Sequence, residues 1–235
     1  MILNVFRNPK RFVVLFLLIL LIDILVKLYA SISLYRFFSK PFVLILLFVY
    51  YRMHNNGRTY GSVELGLICF FLGDLFIISH KNVTCLGLSI IFFSLGKVCF
   101  GLRFSHKTDF NVSRLIPFSL VMFVYTVFLV SQVFENLKDF FVPALISFFL
   151  SLLMFQFAFL RKGVFNKKSY LYIFYGVMMF IFSEGIMAIK TFKMELPFQD
   201  VLIMLLYGLS VYFIIEGLNN EREINASLPV LNPKD

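Results

Sequence analysis

Eight apolar runs, each about as long as a membrane-spanning helix, constrain this chain more than any other feature. A bilayer core of about 30 Å needs about 20 apolar residues per helical crossing. The runs are continuous and do not alternate with polar residues, which favours helices over the strands of a barrel. We therefore predict an all-α membrane bundle of about eight transmembrane helices. The predicted spans are 12–29, 36–52, 61–79, 84–103, 114–132, 140–160, 170–190 and 199–217.

Composition favours a single membrane domain. Hydrophobic residues make up 60% of the chain and charged residues 15%, whereas soluble domains have about 25% charged residues. We predict one integral membrane domain over 1–218 and a polar tail over 219–235. No small-residue cleavage site follows the first apolar run, so we expect it to be an uncleaved helix. The second span is expected to begin firmly at Pro41, because proline suits a first helical turn.

The basic residues indicate a membrane topology. The formal net charge is +9, but Lys and Arg occur in short clusters beside the apolar spans, as topology and lipid headgroups require. No basic run is long enough for a nucleic-acid-binding arm, so we expect no nucleic-acid partner. Fourteen of the 22 basic residues lie on the side of the termini and seven on the other side. This predicts a multi-pass protein of the bacterial inner-membrane type with both termini in the cytoplasm.

Two carboxylic acids lie inside predicted spans. Asp74 is 5 residues before the end of span three, and Glu184 is 6 residues before Lys190 at the end of span seven. At a rise of 1.5 Å per residue, both lie roughly 8–9 Å below the same helix ends. A carboxylate at bilayer depth costs several kcal/mol unless it is neutralised or paired, so such residues usually face a polar cavity and usually have a function.

Other polar groups lie in or near this layer. Asp23 is 6 residues before Tyr29 in span one, and Tyr207 is 8 residues after the start of span eight. Lys97 lies deeper, 13 residues into span four, and is expected to be either a substrate-phosphate ligand or a counter-ion. Asp23 and Lys27 are four residues apart on one helix face and are expected to pair.

Two acids that share a dry pocket cannot both ionise at low cost, so we expect one to hold its proton while the other stays charged. Such a pair is suited to general acid–base catalysis. Two alternatives stay open at this point. The acids are proton or cation sites of a transporter or lipid-moving protein, or they are structural, bonded to Lys97, Lys27 or Tyr207.

No metal or cofactor is predicted. Cys69, Cys85 and Cys99 lack the spacing of a metal site, and the three histidines fall in or beside predicted loops. The sequence has no P-loop, no G-x-S-x-G elbow and no H-E-x-x-H motif.

The spacing of several residues suggests an internal repeat. Asp74 and Glu184 differ by 110 positions, whereas Arg52 and Arg161, each at the end of a span, differ by 109. An even number of spans separates each pair, so the two halves would run in the same direction. We predict two four-helix halves related by a pseudo-twofold axis along the membrane normal.

Several short segments, in order, resemble a known family. Residues 70–76 resemble the F-x-x-G-D-x-x-L motif of the YhhN-like transmembrane lysoplasmalogenases, and 176–189 resemble their G-x-x-x-F-x-x-S-D-x-x-x-A motif. Lys40-Pro41 is similar to the early K-P pair of the family, and 206–217 to its last helix. The likeness covers most of spans two to eight. The family usually has Asp where this chain has Glu184, and a histidine where this chain has Lys97.

The resemblance implies an activity and a set of site residues. The activity is hydrolysis of the vinyl ether bond of lysoplasmalogens to a fatty aldehyde and a glycerophospho-headgroup, without a cofactor. The implied catalytic residues are Asp74 and Glu184, acting jointly. The substrate, a lysophospholipid, would enter from the bilayer with its headgroup near Lys40. Substrate-binding positions are expected at Lys40, Lys97, Tyr207 and Asp23.

Overall fold

The computed structural model describes residues 6, 8–29, 33–54, 60–79, 81–105 and 112–224, apart from the side chains of 33, 34, 112–114 and 138. Eight α-helices lie within these residues. They are α1 (Pro9–Tyr29), α2 (Ser33–His54), α3 (Gly61–Ile78), α4 (Val83–Phe104), α5 (Val112–Leu137), α6 (Phe141–Leu160), α7 (Lys167–Phe192) and α8 (Gln199–Asn219). A 3₁₀ turn at Lys138–Phe140 connects α5 to α6. We call the end of the bundle at which α1 begins and α8 ends the terminal end, and the opposite end the distal end.

The predicted fold class is confirmed. Seven helices are long and apolar enough to cross a membrane, and α2 is the exception among those described. The described residues form no strand, only isolated bridges around Phe165. Large apolar side chains point outward from the bundle, as on α5, where Leu120, Val121 and Val124 are each more than 60% exposed. The protein is therefore an all-α polytopic membrane bundle, in which backbone groups are satisfied within each helix.

The start of α2 differs from the prediction. The helix begins at Ser33, and Pro41 lies inside it. A proline removes one backbone hydrogen bond, but membrane helices tolerate this where neighbouring groups pack against the gap. Pro41 is buried, as are Val43 and Leu44 after it. The earlier start places two further turns of α2, which include Arg36 and Lys40, in the bundle.

The tail is ordered further than the sequence suggests. The Asn166 amide donates to the carbonyl of Arg222 at 2.9 Å, and the Ile224 amide donates to that of Val164 at 3.0 Å. Glu221 accepts from Arg103 at 2.7 Å and from Arg161 at 2.6 Å. Residues 220–224 are thus held against the α6–α7 connection, and the rest of the predicted tail, 225–235, lies outside the described residues.

Arg161 anchors this terminal-end contact from a fully buried position. Its guanidinium lies 3.9 Å from the ring centroid of Phe165. Burial lowers the pKa of the Arg161 guanidinium, and the ion pair with Glu221 opposes that shift. An arginine stays protonated in proteins, so the cluster keeps its charge.

Two helix pairs, α3–α4 and α7–α8, pack against each other over the most extensive contacts in the described part of the chain. In the α7–α8 pair, a Cβ added to Gly176 would lie 2.9 Å from the backbone oxygen of Ser210. In the α3–α4 pair, a Cβ added to Gly96 would lie 2.4 Å from the ring of Phe70. Small residues allow such close approach of helices in a membrane. These pairs carry the two acids, on α3 and α7.

Some of the helix contacts among the described residues match the arrangement that the predicted repeat requires, whereas the α1–α8 and α5–α7 contacts have no comparable counterparts in α5–α4 and α1–α3. If α1–α4 correspond to α5–α8, the contact between α3 and α4 corresponds to that between α7 and α8. The contact between α4 and α6 then corresponds to that between α8 and α2. All four of these contacts occur. Phe70 and Phe180, which differ by 110 positions, stack on each other with ring centroids 5.2 Å apart. The repeat stays a prediction, and superposition of 12–103 on 114–217 tests it. A common path for the four helices would support it, and unrelated paths would refute it.

Substitution Gly176→Ala tests the close packing of α7 and α8. The new methyl would meet two backbone atoms of α8, Ser210 O at 2.9 Å and Ile214 N at 3.0 Å, so the helices must separate. Overpacking of this kind costs about 1–3 kcal/mol. We expect a lower midpoint of thermal unfolding in detergent.

The matched control is Gly87→Ala in α4, where the added Cβ meets only Phe140 at 3.6 Å. Alanine is favoured over glycine in a helix by about 1 kcal/mol, so this variant should be as stable as the parent or more stable. Equal stability of the two variants would contradict the packing described for α7 and α8.

Candidate functional site

Asp74 and Glu184 line one chamber, a cavity of about 130 Å³ bounded by α2, α3, α4, α6, α7 and α8. Asp74 comes from α3 and Glu184 from α7, so each of the two closely packed helix pairs supplies one acid. Lys40 and Tyr207 line the same cavity. The predicted convergence of polar groups from several helices therefore occurs in the structure for Asp74, Glu184 and Tyr207, and Lys40, which was not predicted to be in this layer, joins them.

Asp74 is almost fully buried, with 1% of its surface exposed. The Lys40 ammonium, from α2, lies 2.7 Å from Asp74 Oδ1. The Tyr207 hydroxyl, from α8, donates to Oδ2 at 3.0 Å. The Lys40 ammonium also lies 5.7 Å from the centroid of the Tyr207 ring, within cation–π range. Each carboxylate oxygen thus has its own partner, and both partners come from other helices.

Glu184 is held by a separate set of groups. The Lys97 ammonium, from α4, pairs with Oε1. The Ser147 hydroxyl, from α6, donates to Oε1 at 3.1 Å, and the Ser151 hydroxyl donates to Oε2. Lys97 in turn donates to the carbonyl and hydroxyl oxygens of Ser147, at 3.0 and 2.7 Å. All three hydrogens of the ammonium can thus be satisfied without water.

The geometry differs from a pair of acids that share one proton. Each acid has a lysine of its own, so the site contains two ion pairs instead of two adjacent carboxylates. Breaking a buried ion pair by removal of one partner costs several kcal/mol, because the other charge is left uncompensated. Lys97 is therefore the counter-ion of Glu184, one of the two roles expected for it.

An aromatic cluster closes the chamber toward the terminal end. Phe70 and Phe180 lie one helical turn before Asp74 and Glu184, respectively. The Phe70 ring lies 5.2 Å from that of Phe180, 5.2 Å from that of Phe100 and 5.8 Å from that of Phe93. Close-packed rings of this kind leave no room for water.

The chamber is mostly apolar toward the distal end. Leu86 and Ile90, near the start of α4, line it together with Met187 and Phe192, near the end of α7. Phe148, from α6, completes this wall. An apolar cavity with a few convergent polar groups is typical of a site for a small or single-chain amphiphile.

A smaller cavity lies beside Glu184. Its volume is about 10 Å³, and its walls include Tyr125, Thr126, Ser151 and Glu184. The Thr126 hydroxyl is buried and has no hydrogen-bond partner among the described residues. A cavity of about this size holds one water where two to four polar groups are in reach. Glu184 thus lies between the chamber and a water-sized space.

Asp23 and Lys27 lie elsewhere than predicted. Asp23 is buried and accepts from the Ser39 hydroxyl at 2.6 Å, and it does not line the chamber. Lys27 pairs with Asp200 at 3.6 Å, so the expected Asp23–Lys27 pair is not formed. The reason is that α2 and α8 pack against α1 and offer both side chains nearer partners.

Ser147 and Ser151 were not identified as site residues from the sequence. They are four residues apart and therefore on one face of α6, in a helix that is otherwise almost entirely apolar. Two hydroxyls at this spacing in a membrane span could have indicated a polar partner on a neighbouring helix.

The partners of the two acids follow the same spacing as the acids. Lys97 and Tyr207 differ by 110 positions, as do Asp74 and Glu184. The acid of α3 is bonded by α8, and the acid of α7 is bonded by α4. The residues at these two matching positions differ in chemistry: Tyr207 of α8 offers a phenol to Asp74, and Lys97 of α4 offers an ammonium to Glu184.

Comparison with known proteins identifies a family for this chain. The YhhN family matches residues 35–218. Neither the comparison with curated proteins nor that with solved structures found a match. The matched region covers more than half of the chain, from the first turn of α2 to the end of α8, and contains both acids and their lysines. The chain belongs to the YhhN family.

Proposed function

We propose that this protein hydrolyses the vinyl ether bond of lysoplasmalogens, releasing a fatty aldehyde and a glycerophospho-headgroup. The observation that carries the proposal is that two carboxyl groups, each held by side chains of other helices, line one largely apolar chamber. Membership of the YhhN family is compatible with this activity.

The reaction needs a proton at carbon and a water at the neighbouring carbon. Protonation of the vinyl carbon farther from the ether oxygen gives an oxocarbenium ion. Water adds to the carbon bonded to oxygen, and the resulting hemiacetal breaks into the aldehyde and the free glycerol hydroxyl. An acid that donates the proton and an anion that stabilises the cation are therefore the two roles that the chamber has to fill.

We assign these roles from the surroundings of each acid. Glu184 accepts from Lys97, Ser147 and Ser151 and adjoins the water-sized cavity. This suits a carboxylate that stabilises the oxocarbenium ion and orients the water. Asp74, with the Tyr207 hydroxyl on one oxygen, is the more deeply buried acid and is assigned the delivery of the proton, which Lys40 would transfer to it within their ion pair. The two act as one unit, so loss of either should stop the reaction.

The chamber suits a lipid with one chain. The apolar side chains of α4, α6 and α7 that line its distal part would cover the alkenyl chain on one side, which leaves the side toward α2 for the headgroup. The ether oxygen would lie at the acids. Integral membrane helices allow such a substrate to enter from the bilayer. The basic-residue count supports termini in the cytoplasm, so the chamber would lie in the opposite half of the membrane.

The aromatic cluster closes one end of the chamber, which suits a reaction chamber and is also expected of one state of a transporter. A transporter needs a polar path that reaches both aqueous sides in alternation. On the terminal side of the acids, the packed rings of Phe70, Phe100 and Phe180 fill the space between α3, α4 and α7. A closed end suits a reaction chamber, in which excluded water strengthens the charges that act on the substrate.

One prediction of the proposed function concerns the two acids. Asp74→Asn and Glu184→Gln should each reduce aldehyde release from lysoplasmalogen by purified protein by at least about 10²-fold, the size of a lost general acid or electrostatic stabiliser. The readout is aldehyde formed per minute, with thermal unfolding to show that each variant is folded.

Matched controls are Asp139→Asn and Glu64→Gln. Asp139 is exposed in the turn between α5 and α6, and Glu64 pairs with Arg52 at the terminal end. Both controls should keep the parental rate. Wild-type rates in either chamber variant would refute the catalytic assignment, and absence of aldehyde from the parent would refute the proposed activity.

Another prediction concerns the Lys97–Glu184 pair. Lys97→Met leaves the carboxylate of Glu184 without its cation and should destabilise the protein by about 3–5 kcal/mol. Adding Glu184→Gln to that variant removes the unpaired charge and should restore most of the stability. Thermal unfolding of the parent, both single variants and the double variant gives the coupling between the two residues. Additive losses would mean that the two residues do not form a pair.

A further inference from the structure

Arg36 lies on α2 one turn before Lys40 and on the same helix face, because residues four apart are neighbours. Its guanidinium contacts Met204 of α8, with Nη2 4.0 Å from Sδ. Met204 lines the chamber. Since α2 runs from the distal to the terminal end, Arg36 lies about 6 Å farther than Lys40 toward the distal end. It therefore stands beside the chamber, just beyond the acids.

The guanidinium of Arg36 is poorly satisfied within the described part of the chain. Its Nε is buried and has no hydrogen-bond partner there. The ion pairs found among the described residues at 4.0 Å or less do not include Arg36. Guanidinium groups are rarely buried without carboxylate, phosphate or carbonyl partners, because an unmade hydrogen bond to a charged group is costly.

Two of the three nearby acids are already paired with lysines, and the charge of the third, Asp23, acts on Arg36 without an ion pair at 4.0 Å or less. Asp74 is paired with Lys40 at 2.7 Å, and Asp200 has Lys190 at 2.5 Å and Lys27 at 3.6 Å. Asp23 accepts from Ser39.

These three acids face four cations at the distal end of the bundle, namely Lys27, Arg36, Lys40 and Lys190. The balance of formal charge is positive by one. An anion beside Arg36 would therefore be attracted.

We propose that Arg36, together with Lys40, binds the phosphate of a single-chain phospholipid whose ether bond lies at Asp74 and Glu184. The proposal rests on the proposed function and names the part of the site that recognises the headgroup. A guanidinium presents a planar fork of donors that matches two phosphate oxygens. Lys40 would contribute a point charge while it remains near Asp74.

The spacing fits such a lipid. In a lysophospholipid, five covalent bonds separate the ether oxygen at the first glycerol carbon from the phosphorus atom. Five bonds of about 1.5 Å span roughly 6 Å when extended. This equals the rise from Lys40, at the level of Asp74, to Arg36. A lipid with its ether oxygen at the acids would therefore place its phosphate beside the guanidinium.

The test measures binding of lipids that cannot be hydrolysed. The probes are 1-O-alkyl-glycerophosphoethanolamine, 1-O-alkylglycerol, which lacks the phosphate, and inorganic phosphate. The proteins are the parent, Arg36→Gln, Arg36→Lys and the control Arg52→Gln. Arg52 is at the other end of α2 and pairs with Glu64. Binding to purified protein is measured in detergent by titration.

Arg36→Gln should weaken binding of the phospholipid analogue at least tenfold, the effect of a lost charged hydrogen-bond pair. It should leave binding of alkylglycerol unchanged, which also shows that the variant is folded. Arg36→Lys should bind the phospholipid analogue with intermediate affinity, and Arg52→Gln should bind like the parent.

Three results would overturn the proposal. If Arg36→Gln binds the phospholipid analogue as the parent does, Arg36 is not a phosphate ligand. If the variant loses affinity for alkylglycerol equally, Arg36 is a structural counter-ion of the nearby acids. If inorganic phosphate binds as tightly as the phospholipid analogue, and by way of Arg36, the site recognises a free anion and not a lipid. The two proposals can also fail separately. If phospholipid binding depends on Arg36 but the parent protein releases no aldehyde from lysoplasmalogen, the proposed hydrolase activity is refuted and the proposed phosphate site stands.

Discussion

Two buried ion pairs, Asp74 with Lys40 and Glu184 with Lys97, determine how the helices of this bundle can pack. A charge in the interior of a membrane protein is tolerated when a partner from another helix neutralises it. Here the partners come from α2 and α4, so α3 and α7 can lie only where those lysines reach. The Tyr207 hydroxyl adds a hydrogen bond to Asp74, and the Ser147 and Ser151 hydroxyls add hydrogen bonds to Glu184.

The surrounding packing is suited to keeping these pairs dry. Glycines bring α3 against α4 and α7 against α8, and the rings around Phe70 fill the space below the acids. A low-dielectric surround strengthens the action of fixed charges on a substrate. The same surround makes an unpaired charge costly, which explains why each acid has a lysine as its counter-ion and why the chamber is otherwise lined mostly by apolar side chains.

The sequence predicts the helices and the convergence of Asp74, Glu184 and Tyr207 well, because apolar run length and depth along a helix follow from residue spacing. The sequence does not predict side-chain partners that depend on which helices are neighbours in the bundle. The pairing of Lys40 with Asp74 was not predicted, and Asp23 bonds to Ser39 and not to Lys27. Hydropathy does not reveal which helices touch, so partners such as Ser147 were not predicted. The mid-helix position of Pro41 likewise depends on packing and not on propensity.

The claim that a buried acid delivers a proton to carbon is tested most directly by the mass of the aldehyde formed in D₂O. The account predicts that wild-type protein releases fatty aldehyde with one deuterium on the carbon next to the carbonyl, and more slowly than in H₂O. A fatty aldehyde standard incubated for the same time in D₂O gives the background exchange. Absence of aldehyde release, or aldehyde with no deuterium above that background, would contradict the account.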